Sequence, residues 1–360
     1  MSPDGAYGGP VRVAVNQLAE LARRGHEVEL IAGCRGFGSE TPREEHGVRL
    51  SLFPVSQRVP GSGFAGLASS ELIRYVRGSI DETTVVQVHL ARDLITMPAA
   101  RIARARARRL VIQPHGMIAQ SGNPLAPFFD LALTRRVLRN ADAVLSLTAD
   151  ETRSIESIAG PGVALSRIHN GIPVPGRELG EPEPLEVLFL SRLHPRKRAP
   201  LFVEMAIRLA GDHPQVRFAV VGPDEGDGDE VAREIRASGL SAERLSWEGS
   251  LPPADTAARM ARAAIYVLPS IGEVFPMSVL EAMGHGKAVV VTEDNGLASL
   301  LKARDSGVVV DESVEGLVDA VRRLIEDPLR RQQLGRNARA HIESEFSISS
   351  VVDRLEVLYA

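Results

Sequence analysis

The sequence predicts an α/β protein with two domains, each built on a doubly wound parallel sheet. The length of 360 residues suits two domains of roughly 150 residues each, and the 44% of hydrophobic residues is enough for two cores. Short apolar runs alternate with amphipathic segments along most of the chain, which is typical of βαβ units. A segment rich in proline and glycine interrupts this pattern near the middle and predicts a boundary between the domains.

Ten apolar runs have the length and the β-branched content of strands. Helical patterns separate most of them, and this alternation predicts parallel sheets with crossover helices. Residues 11–24 show the helical period most clearly, with Val11 and Val15 on one face. The runs lie at 27–33, 48–53, 84–90, 110–116 and 143–149 in the first half, and at 186–193, 216–222, 264–270, 288–292 and 307–311 in the second.

The middle segment, IPVPGRELGEPEP (172–184), contains four prolines and is predicted to be a linker. We therefore expect an N-terminal domain of residues 1–171, the linker, a C-terminal domain of residues 185–346, and a C-terminal helix at 347–360. In open sheets of this kind ligands bind beyond the carboxyl ends of the strands, so a cleft between the two domains is the expected site.

The start of the N-terminal domain departs from the pattern. A doubly wound domain begins with a strand, a glycine turn and a helix, but here the turn Tyr7-Gly8-Gly9-Pro10 follows only six residues, and these are not strand-like. We expect the first strand to be missing, either because the sequence starts inside a longer chain or because the domain lacks a central strand. The first is favoured, since a lost central strand would leave unpaired edges.

Composition excludes several classes of protein. A net charge of −4 and a pI near 6.2 give no indication of nucleic-acid binding. One cysteine, Cys34, rules out an internal disulfide framework and fits a reducing cytoplasm. Neither a signal peptide nor a run of about 20 apolar residues is visible. The arginine-rich run 101–110 could contact an anionic membrane at its inner face, although a solvated helix face is favoured.

Two glutamates eight positions apart bracket the stretch EVFPMSVLE. Glu273 follows an apolar strand, Pro276 suits the first turn of a helix, and Glu281 falls about one turn inside it. The free N–H groups of the helix start would attract an anion such as a phosphate, and the carboxylates could accept hydrogen bonds from hydroxyl groups. For this spacing alone, two ordinary surface glutamates are the simpler interpretation.

Further candidates follow other strands. Arg192 and Lys197, in SRLHPRKR, are spaced to reach one phosphate group, although a solvated basic loop would give the same pattern. His115 ends a predicted strand, where a histidine either faces a ligand or is structural. Gly8 and Gly9, ahead of a helix, allow a backbone to approach phosphate or simply form a tight turn.

Together these stretches resemble the retaining GT-B glycosyltransferases of family four, the glycogen-synthase-like and mannosyltransferase-like group. The resemblance implies two Rossmann-like domains facing a cleft and covers nearly the whole chain. The stretches that carry it occur in the family's order: YGGPVRVAVNQLAELARRGHEVEL, QPHGM, HNGIP, LSRLHPRK, VVGPDE and VLPSIGEVFPMSVLEAMGHGKAVVVTEDNG.

The resemblance implies that the C-terminal domain binds a nucleotide-sugar donor. Arg192 and Lys197 would hold its diphosphate, Glu281 the ribose hydroxyls and Glu273 the hydroxyls of the transferred sugar. His115 would reach the sugar from the N-terminal domain. The remaining donor-binding residues would act through their backbone, near the sugar or the phosphate: Gly8, Gly9, Phe275, Pro276, Met277 and Ser278.

The implied reaction is transfer of a sugar with retained anomeric configuration, in which the leaving phosphate helps to deprotonate the acceptor. No metal or other cofactor is expected: Asp227-Gly228-Asp229 resembles a metal-binding DxD but lies in an acidic, glycine-rich loop. The acceptor, a glycan, a lipid-linked or a small molecule, stays open, and a cell-surface or exported glycan is the expected product. The alternatives are a degenerate, non-catalytic subunit of this fold, or another enzyme with it, such as a nucleotide-sugar epimerase.

Overall fold

A computed structural model describes residues 1–2, 8–38, 41–118, 126–176 and 184–360. The chain forms two compact units. The N-terminal unit extends to Gly171 and also contains Ile348–Ala360, and the C-terminal unit is Ile172–Ser347. Of the predicted linker, residues 177–183 lie outside the described residues.

The described strands are short, and most of them pair in parallel. They are β1 (Glu29–Cys34), β2 (Glu44–Glu45), β3 (Val48–Pro54), β4 (Ser56–Gln57), β5 (Leu67–Ala68), β6 (Val85–His89), β7 (Arg109–Gln113), β8 (Ala143–Ser146), β9 (Leu165–Arg167), β10 (Glu186–Leu190), β11 (Arg217–Val221), β12 (Leu245–Trp247), β13 (Ile265–Leu268), β14 (Ala288–Thr292) and β15 (Val308–Val310).

Helices connect these strands. They are α1 (Gly8–Arg23), α2 (Ser70–Ser79), α3 (Thr96–Arg106), α4 (Ala126–Phe129), α5 (Arg135–Arg139), α6 (Ala149–Ala159), α7 (Ala199–Ala210), α8 (Gly228–Ser238), α9 (Thr256–Ala261), α10 (Met277–Gly284), α11 (Ala298–Ala303), α12 (Val314–Glu326), α13 (Pro328–His341) and α14 (Ile348–Tyr359). All ten predicted apolar runs contain a strand, and the predicted α/β class with parallel sheets is confirmed.

The C-terminal unit contains one parallel sheet in the order β12-β11-β10-β13-β14-β15. Its central strands are fully buried: β10 and β13 pair through Leu188 and Tyr266, which both have 0% exposure. Because helices cover both faces of such a sheet, its strands are continuous apolar runs rather than alternating ones. Chain order reverses between β10 and β13, and this reversal marks the topological switch point at which ligands of doubly wound sheets bind.

The N-terminal unit has a divided sheet. Apart from the β4-β5 hairpin, its described strands form one sheet in the order β1-β3-β2 and another in the order β6-β7-β8-β9, so that β1 and β6 are both edge strands. A doubly wound sheet has its first strand between the second and the fourth. The division therefore falls at the position of the strand that we expected to be missing.

The first residue lies beside the edge of β1 that pairs with no other strand among the described residues. The amino group of Met1 donates to the carbonyl of Gly33, and the Met1 carbonyl accepts from the N–H of Arg35 at 3.0 Å. This is the hydrogen-bond pattern of a parallel bridge with Cys34 as the opposite residue. The backbone of Met1 is thus in register with β1, while residues 3–7 are outside the described part of the chain.

Helix α14 belongs to the N-terminal unit although it ends the sequence. Its buried residues Val351 and Leu355 pack in one cluster with Leu21 of α1 and Val111 of β7. The Arg24 side chain donates to Asp353 at 2.7 Å and to Glu356 at 2.6 Å, which fixes α14 beside the end of α1. The last helix therefore closes the core of the first unit.

Candidate active site

Two loops at the switch point of the C-terminal sheet carry the predicted donor-binding residues. Arg192 and Lys197 follow β10, and Glu273 follows β13, the strand beside it. Because the strands are parallel, both loops leave the sheet at its carboxyl edge. The fold thus brings together two stretches that are about 80 residues apart in sequence.

Lys197 and Glu273 form an ion pair. The Lys197 Nζ lies 2.8 Å from the Glu273 Oε1, and the two side chains are only 13% and 14% exposed. Burial lowers the pKa of Lys197, whereas the carboxylate of Glu273 raises it. The two opposite charges therefore neutralise each other in a largely buried position. Both side chains can also form hydrogen bonds with other groups.

Two arginines surround Lys197. Arg192 donates from Nη1 to both carboxylate oxygens of Glu225, at 2.9 and 2.6 Å. Arg196 donates to the backbone carbonyls of Ile271 and Gly272. The charges of Arg192 and Arg196 oppose protonation of Lys197 and contribute to its lowered pKa, so three cations share this edge of the sheet. Such a cluster is suited to a diphosphate.

Backbone contacts fix the loop of Glu273. The N–H of Gly296 donates to the Glu273 carbonyl at 2.7 Å, and the N–H of Gly272 donates to Asp294 at 2.5 Å. A Cβ at Gly296 would lie 1.9 Å from the carbonyl oxygen of Val274, so only glycine permits this approach. The Glu273 backbone is therefore held on a rigid frame, although Glu273 lies in a loop.

Helix α10 begins directly after this loop. Pro276 occupies the N-cap position, and its side chain caps none of the first N–H groups of the helix. Proline has no N–H, so any backbone donors at this end are those of Phe275, Met277 and Ser278. The ring of Phe275 packs against Phe346, with 5.9 Å between centroids, and holds this end of the helix.

Both predicted carboxylates influence the electrostatics of one buried tyrosine, Tyr266. The Tyr266 hydroxyl lies under α10 and bonds to the Ser278 hydroxyl at 2.8 Å and to the Leu190 carbonyl at 3.0 Å. Burial raises the pKa of Tyr266, and the charges of Glu281 and Glu273 raise it further. Both carboxylates therefore lie close enough to act electrostatically on Tyr266, Glu273 from the loop before α10 and Glu281 from within the helix.

His115 lies in the N-terminal unit, where it follows β7. Its backbone has φ of 54°, a left-handed conformation that is uncommon for a residue other than glycine and is frequent at functional sites. Glu151 holds the next residue, since its carboxylate accepts from the N–H of Gly116 at 2.6 Å. The Glu151 side chain of α6 thus holds the strained backbone at His115 in place.

The imidazole of His115 contacts a second histidine. The Nε2 of His115 lies 2.6 Å from the Nδ1 of His89, at the end of β6, and the two rings stack. Burial lowers the pKa of His89 to about 4, and burial together with His89 places the pKa of His115 well below its usual range. Both rings are therefore neutral near pH 7. The sequence offered one signal for His89, its position at the end of an apolar run, like that of His115.

The predicted glycine turn is only partly described. Gly8 and Gly9 lie in the first turn of α1, and the turn residues before them lie outside the described part. A Cβ at Gly9 would meet no atom within 4 Å, so the packing of the protein does not itself require a glycine there.

Other signals of the sequence have structural explanations. In the acidic loop before α8, Asp224 accepts from the N–H groups of Gly226 and Gly228, and Asp227 is buried at the start of the helix. Within the described ranges there is no cluster of three or more His, Cys, Asp or Glu side chains that could hold a metal ion. Nor do those ranges contain a helix long and apolar enough to span a membrane.

Comparison with known proteins agrees with this architecture. Residues 8–171 match the family described as "Glycosyl transferase 4-like domain", and residues 177–341 match "Glycosyl transferases group 1". The solved structure of Anabaena Alr3699/HepE in complex with UDP and glucose is similar over 98% of this chain and 96% of its own, with a TM-score of 0.73 and 19% identity. The fold is therefore GT-B.

Curated relatives are similar over much of the sequence. The D-inositol 3-phosphate glycosyltransferase of Geodermatophilus obscurus is 31% identical over 402 residues, which cover 99% of this chain and 85% of that protein. The lipopolysaccharide core biosynthesis mannosyltransferase LpcC of Rhizobium leguminosarum bv. viciae is 29% identical over 63% of this chain and 67% of its own. The chain belongs to the group 1 glycosyltransferases.

Proposed function

We propose that this glycosyltransferase uses a nucleoside-diphosphate sugar as donor and transfers the sugar with retention of anomeric configuration. The observation that carries the proposal is the Lys197–Glu273 pair beside the N-terminus of α10, at the switch point of the C-terminal sheet. A cation cluster, backbone N–H groups and two carboxylates match the diphosphate, the sugar hydroxyls and the ribose of such a donor. The UDP bound to Anabaena Alr3699/HepE supports the same class of ligand.

Each residue then has a distinct task. Lys197 and Arg192 bind the diphosphate and stabilise its charge as it leaves. Glu273 exchanges part of its contact with Lys197 for the sugar hydroxyls, and Glu281 accepts hydrogen bonds from the ribose. His115 is neutral, so it can serve as hydrogen-bond donor or acceptor for the sugar without bringing a charge. The leaving phosphate takes the acceptor proton, and the protein contributes positioning rather than a dedicated base.

The wider role follows from the relatives. We infer that the product belongs to a cell-surface or exported glycan, since one relative is named for the lipopolysaccharide core. A cytoplasmic location, based on the single Cys34, and independence from metal ions are part of the same proposal. We therefore expect the transferase activity to persist in the presence of the metal chelator EDTA.

A donor panel tests the proposal. We expect one of UDP-glucose, UDP-N-acetylglucosamine, GDP-mannose or ADP-glucose to release its nucleoside diphosphate when incubated with the enzyme. Glu281→Ala should raise the KM for that donor, whereas Glu273→Ala should mainly lower kcat. Glu315→Ala is the matched control, because Glu315 is 70% exposed and pairs with Arg208 in the last turn of α7. Full activity in both site variants would refute the residue assignment, and no release from any donor would favour a non-catalytic subunit.

A further inference from the structure

The N-terminal unit contains a basic pocket that the donor site does not explain. It is a depression of about 380 Å³ that is open to solvent, and it has room for a phosphorylated monosaccharide or cyclitol. Three arginines line it, Arg58, Arg74 and Arg77, together with the apolar side chains of Ile73 and Leu94. We call this the arginine pocket.

Three elements form the arginine pocket. Ser70, Arg74 and Arg77 lie at positions i, i+4 and i+7 of α2, so they share one face of that helix. Arg58 comes from the hairpin that β4 and β5 form. Leu94 lies in the segment after β6. These connections follow the carboxyl ends of β3 and β6, the edge of the unit from which His115 also leaves β7.

The hairpin that carries Arg58 is tightly folded. The Gln57 side chain donates to the carbonyls of Val59 at 2.8 Å and Gly63 at 3.0 Å, and the Arg58 N–H donates to the Gly66 carbonyl at 2.8 Å. These bonds hold the loop without using the guanidinium of Arg58. The loop therefore presents that guanidinium from a fixed backbone.

The charge of the arginine pocket is not compensated locally. Its lining contains three guanidinium groups and no carboxylate, in a chain whose net charge is −4. Among the residues that the structure describes, none accepts a side-chain hydrogen bond or ion pair from Arg58, Arg74 or Arg77. By contrast, Arg92 of the same unit donates to both carboxylate oxygens of Asp130, at 2.7 and 2.8 Å. Three guanidiniums around one pocket fit a dianion, since each can bind phosphate oxygens with two parallel N–H groups.

We propose that the arginine pocket binds a phosphate group on the acceptor, so that this enzyme glycosylates a phosphorylated sugar or cyclitol. The apolar Ile73 and Leu94 would then pack against the carbon face of the acceptor ring. This inference rests on the proposed transferase function, because it gives the second substrate of the same reaction. The same anionic chemistry could come from a lipid headgroup, and the experiment separates the two sources.

The test measures binding of matched probes by calorimetry. Myo-inositol 1-phosphate and glucose 6-phosphate are compared with myo-inositol and glucose, and vesicles with or without phosphatidylglycerol form the lipid arm. We expect a phosphorylated probe to bind the wild type and its unphosphorylated partner to bind far more weakly. Arg74→Ala/Arg77→Ala should weaken that binding about tenfold or more, and Arg74→Lys/Arg77→Lys should have an intermediate effect.

Controls keep the outcome interpretable. Arg101→Ala/Arg106→Ala removes two exposed arginines from α3 of the same unit and should leave binding of the phosphorylated probes unchanged. UDP binding reports the donor site separately: if UDP fails to bind while the phosphorylated probe still binds, the proposed function fails and the pocket remains an anion site. The proposal is overturned if no phosphorylated probe binds, or if Arg74→Ala/Arg77→Ala does not weaken its binding. It is also overturned if anionic vesicles are the only probes whose binding depends on these two arginines.

Discussion

Substitution of Glu273 by glutamine should destabilise the C-terminal unit, because it leaves the Lys197 ammonium buried without its anion. At 2.8 Å the attraction between the two charges is about 6 kcal/mol for an effective dielectric constant near 20. The desolvation of both groups offsets part of this gain, and removal of one partner of a buried pair typically costs about 3–5 kcal/mol. Since both side chains keep some exposure, we expect a loss of about 2–4 kcal/mol.

The single tryptophan makes this loss measurable. Trp247 lies in β12 and donates to the Gly222 carbonyl at 3.0 Å, so its fluorescence reports unfolding of the C-terminal unit. Denaturant unfolding should show a lower midpoint for Glu273→Gln than for the wild type. The double variant Lys197→Met/Glu273→Gln should recover part of the loss, because no buried charge remains.

The pH dependence gives a second check. Burial lowers the pKa of Lys197 below its value in the unfolded chain, and loss of Glu273 should lower it further. The unfolded state then binds more protons than the folded state as the pH rises toward the ordinary lysine value, so stability increases with pH. The deficit of Glu273→Gln should therefore shrink between pH 7 and pH 9.5. An unchanged midpoint in the single variant, or a double variant that is less stable than it, would refute this account of the pair.

Three further predictions concern the N-terminal unit. The pKa of His89 is lowered to about 4, so the unfolded state takes up a proton before the folded state as the pH falls below 6.5. The unit should therefore lose about 2 kcal/mol of stability between pH 7 and pH 5. Scanning calorimetry should show a smaller loss of stability for His89→Gln, and an equal loss would contradict the assignment of this effect to His89. Gly9→Ala should lower kcat without loss of stability. Stability could even rise by up to about 1 kcal/mol, because alanine favours the helix. A lower melting temperature of the variant would instead show that Gly9 has a packing role. An extended β-branched segment of about six residues placed before Met1 should pair with the edge of β1 to which Met1 is hydrogen-bonded, and should raise the melting temperature. A glycine–serine extension of equal length is the control. Equal melting temperatures of the two proteins would show that the divided sheet does not accept a strand.

The long strands could be predicted from the sequence because each is an apolar run. The core buries both faces of six of them: β7, β8, β10, β11, β13 and β14. The short strands β4, β5 and β12 have no such run. They exist because a neighbouring segment supplies hydrogen-bond partners, which depends on tertiary structure. The place of α14 is also a long-range effect, since Arg24 and Asp353 meet only after folding.

For the candidate site, the sequence did not predict the side-chain contacts that the structure shows. Lys197 and Glu273 were assigned to different parts of a ligand, and the structure pairs them with each other. Arg192 was expected to share one phosphate with Lys197, and in the structure it pairs with Glu225, a residue that the sequence analysis did not single out. Glu225 follows β11, the neighbour of β10, so the order of strands would have indicated it. Side-chain pairing depends on this order, which the local pattern does not contain.

The measurement that tests the central claim most directly is calorimetric titration of the enzyme with UDP, GDP and ADP. The account predicts that one nucleotide binds with a clear preference and that Lys197→Ala strongly weakens its binding. Lys302→Ala, which removes an exposed lysine of the same unit, should bind like the wild type. A folded wild-type protein that binds none of the three, or one that binds equally well without the Lys197 ammonium, would contradict a donor site at the β10–β13 switch point.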